Sequence, residues 1–327
     1  MPVTNERHIT ESHGSEDEAI IRLYNTQRPE FAYICGGRRM IAVDPDDARA
    51  RKILLSKGLQ YYSKVPYFIY RCLEELPVHL FMDIGANYGE CMFSAPADCP
   101  TRIRGYEANP QLKPYLEKSV QFNTDLRSVE VNAMAVADVA GADRTLDIDP
   151  AWSGRSKLSQ EREVVQPDEA PLQQVRTTTI DRELNGQDPE PLVLLKIDIQ
   201  GWEPAAFEGA AQTNKRLANL IYVIEFSEAH LEEAGWSPKR FFDELCADFT
   251  IYKLTARGLH PVSEYAALRQ IHPGEEQKPQ GPTLHLDLVL TTFADNAVAR
   301  LFAQRIVAED LFEHWKRGIF ANEPRVS

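Results

Sequence analysis

Five short apolar runs rich in β-branched residues, His79–Gly85, Arg102–Ala108, Val129–Val136, Leu192–Ile199 and Leu220–Phe226, are each bounded by turn residues and read as strands. Helical stretches fall between several of them. QLKPYLEKSVQFN follows Asn109-Pro110, with Pro114 close enough to shorten or bend it; EPAAFEGAA follows Gly201; Pro238–Cys246 has Ser237 placed as its N-cap. Strands alternating with helices imply right-handed βαβ crossovers and a mainly parallel sheet. Two further runs, Phe249–Leu254 and Leu284–Phe293, are separated by a long Pro- and Gly-containing loop and read as an antiparallel pair closing the sheet. The expected fold is therefore α/β and doubly wound, a seven-stranded, mainly parallel sheet of Rossmann-like form with its ligand site at the strand C-termini.

A chain of 327 residues can fold around one such sheet with additions at both ends. The expected division is a tail and helical extension over 1–76, in which Ile53–Leu76 forms one or two helices, an α/β domain over 77–294, and a helical extension over 295–327. The stretch from Asp138 to Pro191 is too long for a simple connection, and its polar part WSGRSKLSQEREVVQPDEAP reads as a substrate loop. No run approaches the ~20 apolar residues of a membrane span. The first residues, MPVTNERHITESHGSEDEA, lack the apolar core of a secretory signal and the basic character of a transit peptide, so a cytoplasmic location is expected. Five cysteines without a C-x-x-C pair fit reduced thiols. A net charge of −13 disfavours nucleic acid as a partner, and Arg38, Arg39, Arg49, Arg51 and Lys52 read as solvated surface charge.

In FMDIGANYGE, residues 81–90, an apolar strand ends at Asp83 and turns through Gly85 and Gly89. Glu107 stands 22 positions after Gly85 at the end of the next strand, near the offset at which an acid grips ribose hydroxyls. A dinucleotide calls for the three-glycine G-x-G-x-x-G turn that sets its pyrophosphate against backbone N–H groups, whereas this turn is G-x-x-x-G. Asp83 beside it would repel phosphate and suit the ammonium of a methionine moiety. The charge pattern thus favours S-adenosylmethionine over NAD.

LLKIDIQGWE, residues 194–203, delivers Lys196, Asp198, Gln200 and Glu203 at a strand end. Asp198 is expected to border the reaction centre beside the first strand; Lys196 reads equally as a pair on the sheet surface. IEFSEAH, residues 224–230, ends the following strand with Glu225, Glu228 and His230, of which Glu225 or His230 is placed to position an acceptor, with solvated surface residues as the plainer alternative.

With these segments in view, the sequence resembles the FkbM family of methyltransferases. DIGANYG (83–89), EANP (107–110) and KIDIQGWE (196–203) are similar to its turn, its post-strand acid and its lysine-x-aspartate segment, and TTTIDREL (177–184) to the stretch before the last. The resemblance implies S-adenosyl-L-methionine as cofactor, contacts from Asp83, Gly85, Ala86, Asn87, Gly89 and Asn109, ribose binding by Glu107, and Ala135, Val136 or Asp138 of NAMAVAD near the adenine. Gln200 stands where the family usually has Glu. The implied activity is methyl transfer to a hydroxyl of a sugar, glycolipid or secondary metabolite.

Such a displacement depends on alignment and on a base for the hydroxyl; Asp198 and then His230 are the candidates, with Glu203 grouped beside them. Asp198, Glu203, Glu225 and His230 include metal-donor types, but their spacing matches no ligand motif, so no metal is expected. Trp152 and Trp202 are sugar-stacking or packing aromatics. The rival functions are an NAD-dependent oxidoreductase and a non-catalytic cofactor-binding protein of the same fold. Self-association into a homo-oligomer is left open.

Overall fold

The computed structural model describes residues 28, 30–34, 38–55, 64–159, 172–255, 257–270, 272, 283–293 and 296–307. The first 27 residues, 160–171 of the expected loop and 308–327 of the expected C-terminal helix lie outside them.

The main sheet contains β1 (Val78–Ile84), β2 (Arg102–Tyr106), β3 (Val129–Asn132), β4 (Leu192–Ile197), β5 (Leu220–Ser227), β6 (Thr250–Thr255), β7 (Gly258–Val262) and β8 (His285–Thr291). Side by side they run β7-β6-β8-β5-β4-β1-β2-β3. The strands β3, β2, β1, β4 and β5 are mutually parallel, and β8 lies antiparallel between β5 and β6. The order reverses between β1 and β4, the switch point outside which α/β folds bind ligands.

The sheet has eight strands rather than the seven expected. β7 pairs antiparallel with β6, and its Pro261, which argues against a strand in sequence, is accommodated because β7 is the edge. Val129–Val136 also divides in two. Asn132 ends β3, while Ala135–Val136 pairs with the end of Leu172–Thr178 in a separate sheet that includes Asp143–Asp147 and Lys157–Leu158. The described part of the expected loop thus contains three strands. Pro114 lies in the first turn of helix Lys113–Phe122 and starts it rather than shortening it.

β4 is buried at every position, as a central parallel strand must be when both its faces are covered. Its residues alternate: Leu192 and Leu194 join one core with Phe68, Ile69, Phe93 and Leu116, whereas Val193, Leu195 and Ile197 join the other with Phe241 and Phe242. The same alternation sets Phe81 and Val223 on the first face and Met82 and Ile224 on the second. Asp83, Lys196, Glu225, Asp287 and His285 therefore all fall on the first face, gathered at one end of the sheet. Helix Lys64–Glu75 covers that face, and Phe302 and Ile306 of the C-terminal segment join its core.

Candidate active site

A cavity of about 480 Å³ opens at the ends of β1, β2, β4 and β5, lined among others by Gly85, Ala86, Asn87, Glu107, Ala135, Asp198, Glu225 and His230. Its floor is the turn after β1. Gly85 has φ +77°, and a Cβ there would come 1.9 Å from the Asp198 carbonyl oxygen. The glycine is therefore required by the close approach of β4.

Glu107 clamps this turn. Its Oε2 accepts from the Asn87 N–H (2.7 Å) and its Oε1 from the Asn109 N–H (2.8 Å), which leaves each oxygen a lone pair for a ligand hydroxyl. Burial raises its carboxyl above the ordinary value against the pull of both N–H groups. Asn87, itself at φ 49°, reaches from the turn to Ser153 Oγ (3.0 Å), and Asp47 accepts from the Ser153 N–H (3.2 Å) and the Tyr88 hydroxyl (2.8 Å). The segment around Trp152–Lys157 is thereby held as a wall of the cavity.

Five expected site residues do not line the cavity. Asp83 is fully buried off the cavity, 3.3 Å from Lys196 Nζ, on the face packed with Phe81. Gly89 does not line the cavity; a Cβ on it would strike the Phe93 ring at 2.6 Å. Asn109 is buried and supplies Glu107 with a donor. Asp138 pairs with Arg144 at 3.2 Å, outside the lining. Glu203 is buried beneath the site, closing the 198–203 turn by accepting from the Ile199 N–H (2.9 Å) and the Gly201 N–H (3.0 Å).

Lys196 is likewise no surface pair. It lines the cavity from a buried position, donates to the Gly85 carbonyl at 2.7 Å and lies 3.6 Å from Asp198. Burial alone would lower its ammonium pKa, but Asp83 and Asp198 override that and hold it raised. Lys196 thus ties the turn after β1 to the end of β4.

Across the cavity, Gln200 adopts φ 56° and donates its amide to Asp198 Oδ1 (3.0 Å) and Glu225 Oε2 (3.1 Å). A glutamate there would add a third carboxylate; the amide bridges the two instead. His230 Nδ1 lies 3.1 Å from Glu225 Oε2, and this hydrogen bond raises the imidazole pKa. Glu228, by contrast, is buried away from the cavity and accepts from Arg269, Tyr265 and the Leu284 N–H.

Four contributors escaped sequence reasoning. His285 and Asp287 line the cavity from the start of β8, where His285-x-Asp287-x-Val289 follows strand periodicity onto the same face. Glu90 and Arg49 also line the cavity as an ion pair, and Glu90 Oε1 is buried with no hydrogen-bond partner among the described residues. Arg39 is also buried, donating to the Ala95 and Pro96 carbonyls. Of the two tryptophans, Trp152 lines the cavity, while Trp202 packs in a separate core and donates its indole N–H to the Leu158 carbonyl (2.9 Å).

These residues suit S-adenosylmethionine. An unpartnered carboxylate oxygen beside a guanidinium complements an amino-acid zwitterion, and the free lone pairs of Glu107 complement a ribose. Residues 85–94 form turns rather than a helix, so a pyrophosphate would lack the helix N-terminus that dinucleotide sites supply.

Sheet order and cavity together define an α/β protein with its ligand site at the switch point. Residues 83–255, just over half of the chain, match the family model described as the Methyltransferase FkbM domain. The chain belongs to this family, and its cofactor is S-adenosylmethionine. A search of curated protein sequences finds no match. Among solved structures it is similar to an S-adenosylmethionine-dependent O-methyltransferase from Thermotoga maritima, at 11% identity and TM-score 0.34 over 72% of this chain and 67% of that one. It is also similar to an O-methyltransferase from Bacillus cereus in complex with S-adenosylhomocysteine, at 10% identity and TM-score 0.39 over 85% of this chain and 97% of that one. The family match alone carries the methyltransferase assignment. Among the described residues no helix is long and apolar enough to cross a membrane.

Proposed function

We propose that this chain is an O-methyltransferase acting on a hydroxyl of a sugar, glycolipid or secondary metabolite, and that it works in the cytoplasm. One observation carries the reading: the bridged set Asp198–Gln200–Glu225–His230 faces the same cavity as the Glu107 cradle. The cavity's two ends thus have unlike chemistry, one suited to a nucleoside and the other to an acceptor proton.

When bound, S-adenosylmethionine supplies an electrophilic methyl group on a sulfonium. Glu107 would hold the ribose hydroxyls, with Ala135, Val136 and Leu146 of the lining available to the base. Glu90 would receive the ammonium and Arg49 the carboxylate of the methionine part. Asp198 would supply negative charge toward the sulfonium and fix the approach of the acceptor, since alignment gives much of the rate in such a displacement. His230, raised by Glu225, and Asp198 are the groups able to accept the hydroxyl proton. Trp152 lines the cavity wall with Arg155 and Lys52 over its ring at 5.4 and 5.6 Å, so stacking on a sugar would displace one of them. The four described cysteines are free thiols, in keeping with a reducing compartment.

The test is to incubate the protein with S-adenosylmethionine and a panel of sugars, glycolipids and polyhydroxylated metabolites, quantifying S-adenosylhomocysteine and locating the new methyl by mass spectrometry. An O-methyl ether is expected, formed about 10²–10⁴-fold more slowly by variants of the residue that acts as base among Asp198 and His230. Transfer only to nitrogen or carbon would contradict the reading.

A further inference from the structure

Glu225, His230 and His285 converge at the acceptor end from β5, the start of the following helix and antiparallel β8. One ligand atom from each lies within 4.8 Å of the other two. Glu225 Oε2 is 3.1 Å from His230 Nδ1, and Glu225 Oε1 is 3.4 Å from His285 Nε2. A tetrahedral ion with bonds of ~2.0–2.1 Å needs ligand–ligand edges of about 3.3 Å. Each imidazole thus already lies near edge distance from a different oxygen of Glu225, and rotation of that carboxylate and of the exposed His285 side chain can gather one atom from each residue around a single ion.

Two imidazoles and a carboxylate form a donor set of first-row divalent ions that retain an open position. The surroundings favour a cation. Asp198 and Asp287 also line this end, and the lysines near them are Lys196, shared with Asp83, and Lys64, 3.0 Å from Asp287. The Gln200 amide donates to Glu225 and orients it, as partners of metal-ligating carboxylates do.

We infer that Glu225, His230 and His285 bind one divalent transition-metal ion of the zinc type, its open position facing the acceptor. The site went unread in sequence because its third ligand stands 55 residues beyond His230, on a different strand. A cation there lowers the pKa of a neighbouring hydroxyl and leaves Asp198 as the proton acceptor. Only this assignment of the acceptor end rests on the proposed function; the binding itself does not.

The test uses the untagged full chain, stripped with a chelator and dialysed, then titrated calorimetrically with Zn²⁺ and followed by visible absorption with Co²⁺. One ion per chain and a tetrahedral Co²⁺ spectrum are expected. Affinity should fall more than about 100-fold in both His285→Ala and Glu225→Gln, beyond the 10–100-fold typical of outer partners, and be kept in His79→Ala. S-adenosylhomocysteine binding retained by His285→Ala shows that the variant is folded. Absence of binding in the wild type, or binding undiminished by His285→Ala, overturns the inference. Methyl transfer to a hydroxyl without Zn²⁺ binding would sink the metal site alone; Zn²⁺ binding lost in His285→Ala, without transfer to any hydroxyl, would sink only the proposed function.

Discussion

Replacing Glu107 with Gln separates ligand binding from folding at this site. The carboxylate accepts from the Asn87 and Asn109 N–H groups at 2.7 and 2.8 Å and keeps lone pairs for the two ribose hydroxyls. Glutamine retains one acceptor oxygen, while its NH₂ confronts whichever N–H the other oxygen served. The variant therefore loses a charge-assisted bond to the ligand and loosens the turn that carries Asn87. Hydrogen bonds to charged groups contribute about 1.5–3 kcal/mol, so the Kd for S-adenosylhomocysteine should rise about 10- to 150-fold. Calorimetric titration measures this, with urea unfolding alongside. Asp83→Asn is the contrasting variant. Asp83 does not line the cavity but holds buried Lys196, so its loss should cost about 3–5 kcal/mol of stability, as for a broken buried pair. A Kd within about threefold of wild type in Glu107→Gln would refute the ribose assignment. So would a loss of stability in that variant as large as in Asp83→Asn.

Gly85→Ala should lower stability by about 2–5 kcal/mol in urea unfolding, from the left-handed backbone together with overpacking against the Asp198 carbonyl; a loss below about 1 kcal/mol would mean that β1 and β4 separate easily. Arg49→Ala should weaken S-adenosylhomocysteine but leave methylthioadenosine, which lacks the amino-acid group, within about twofold; equal weakening of both would remove Arg49 from the carboxylate subsite. Burial, with the Glu225 carboxylate adding to it, pushes the Glu203 carboxyl up from 4.5 to about 8. Its folded pKa lies above its unfolded one, so the folded state holds the extra proton between those values and this contribution to stability falls as pH rises through that window. Wild type should accordingly lose more of its urea midpoint between about pH 5 and pH 8 than Glu203→Gln does; parallel profiles would show that Glu203 is ionised throughout.

The parallel core of the sheet was legible because β1, β4 and β5 are largely apolar runs ending in turn residues, while β2 carries buried Ile103 between two arginines and ends in buried Tyr106. β7 was not, since Pro261 is a strand breaker everywhere except at an edge, and edge position is a tertiary property. Glu107, Gly85 and Asp198, picked out by their place at strand ends, line the cavity. Asp83 was misplaced because its burial against Lys196, its register partner on β4, is a matter of packing that the strand-end position does not reveal. His285 and Asp287 stand far along the chain on an antiparallel strand, and only the sheet order brings them beside Glu225. Glu90 and Arg49 read as ordinary charges until folding buries one carboxylate oxygen without a partner.

The measurement that bears most directly on the whole account is a crystal structure of the protein with S-adenosylhomocysteine. The account predicts the ribose hydroxyls within hydrogen-bonding distance of Glu107, the amino-acid group between Glu90 and Arg49, and the sulfur directed toward Asp198 and the Glu225–His230 end. A nucleoside bound away from Glu107, or a sulfur facing away from Asp198, would contradict it.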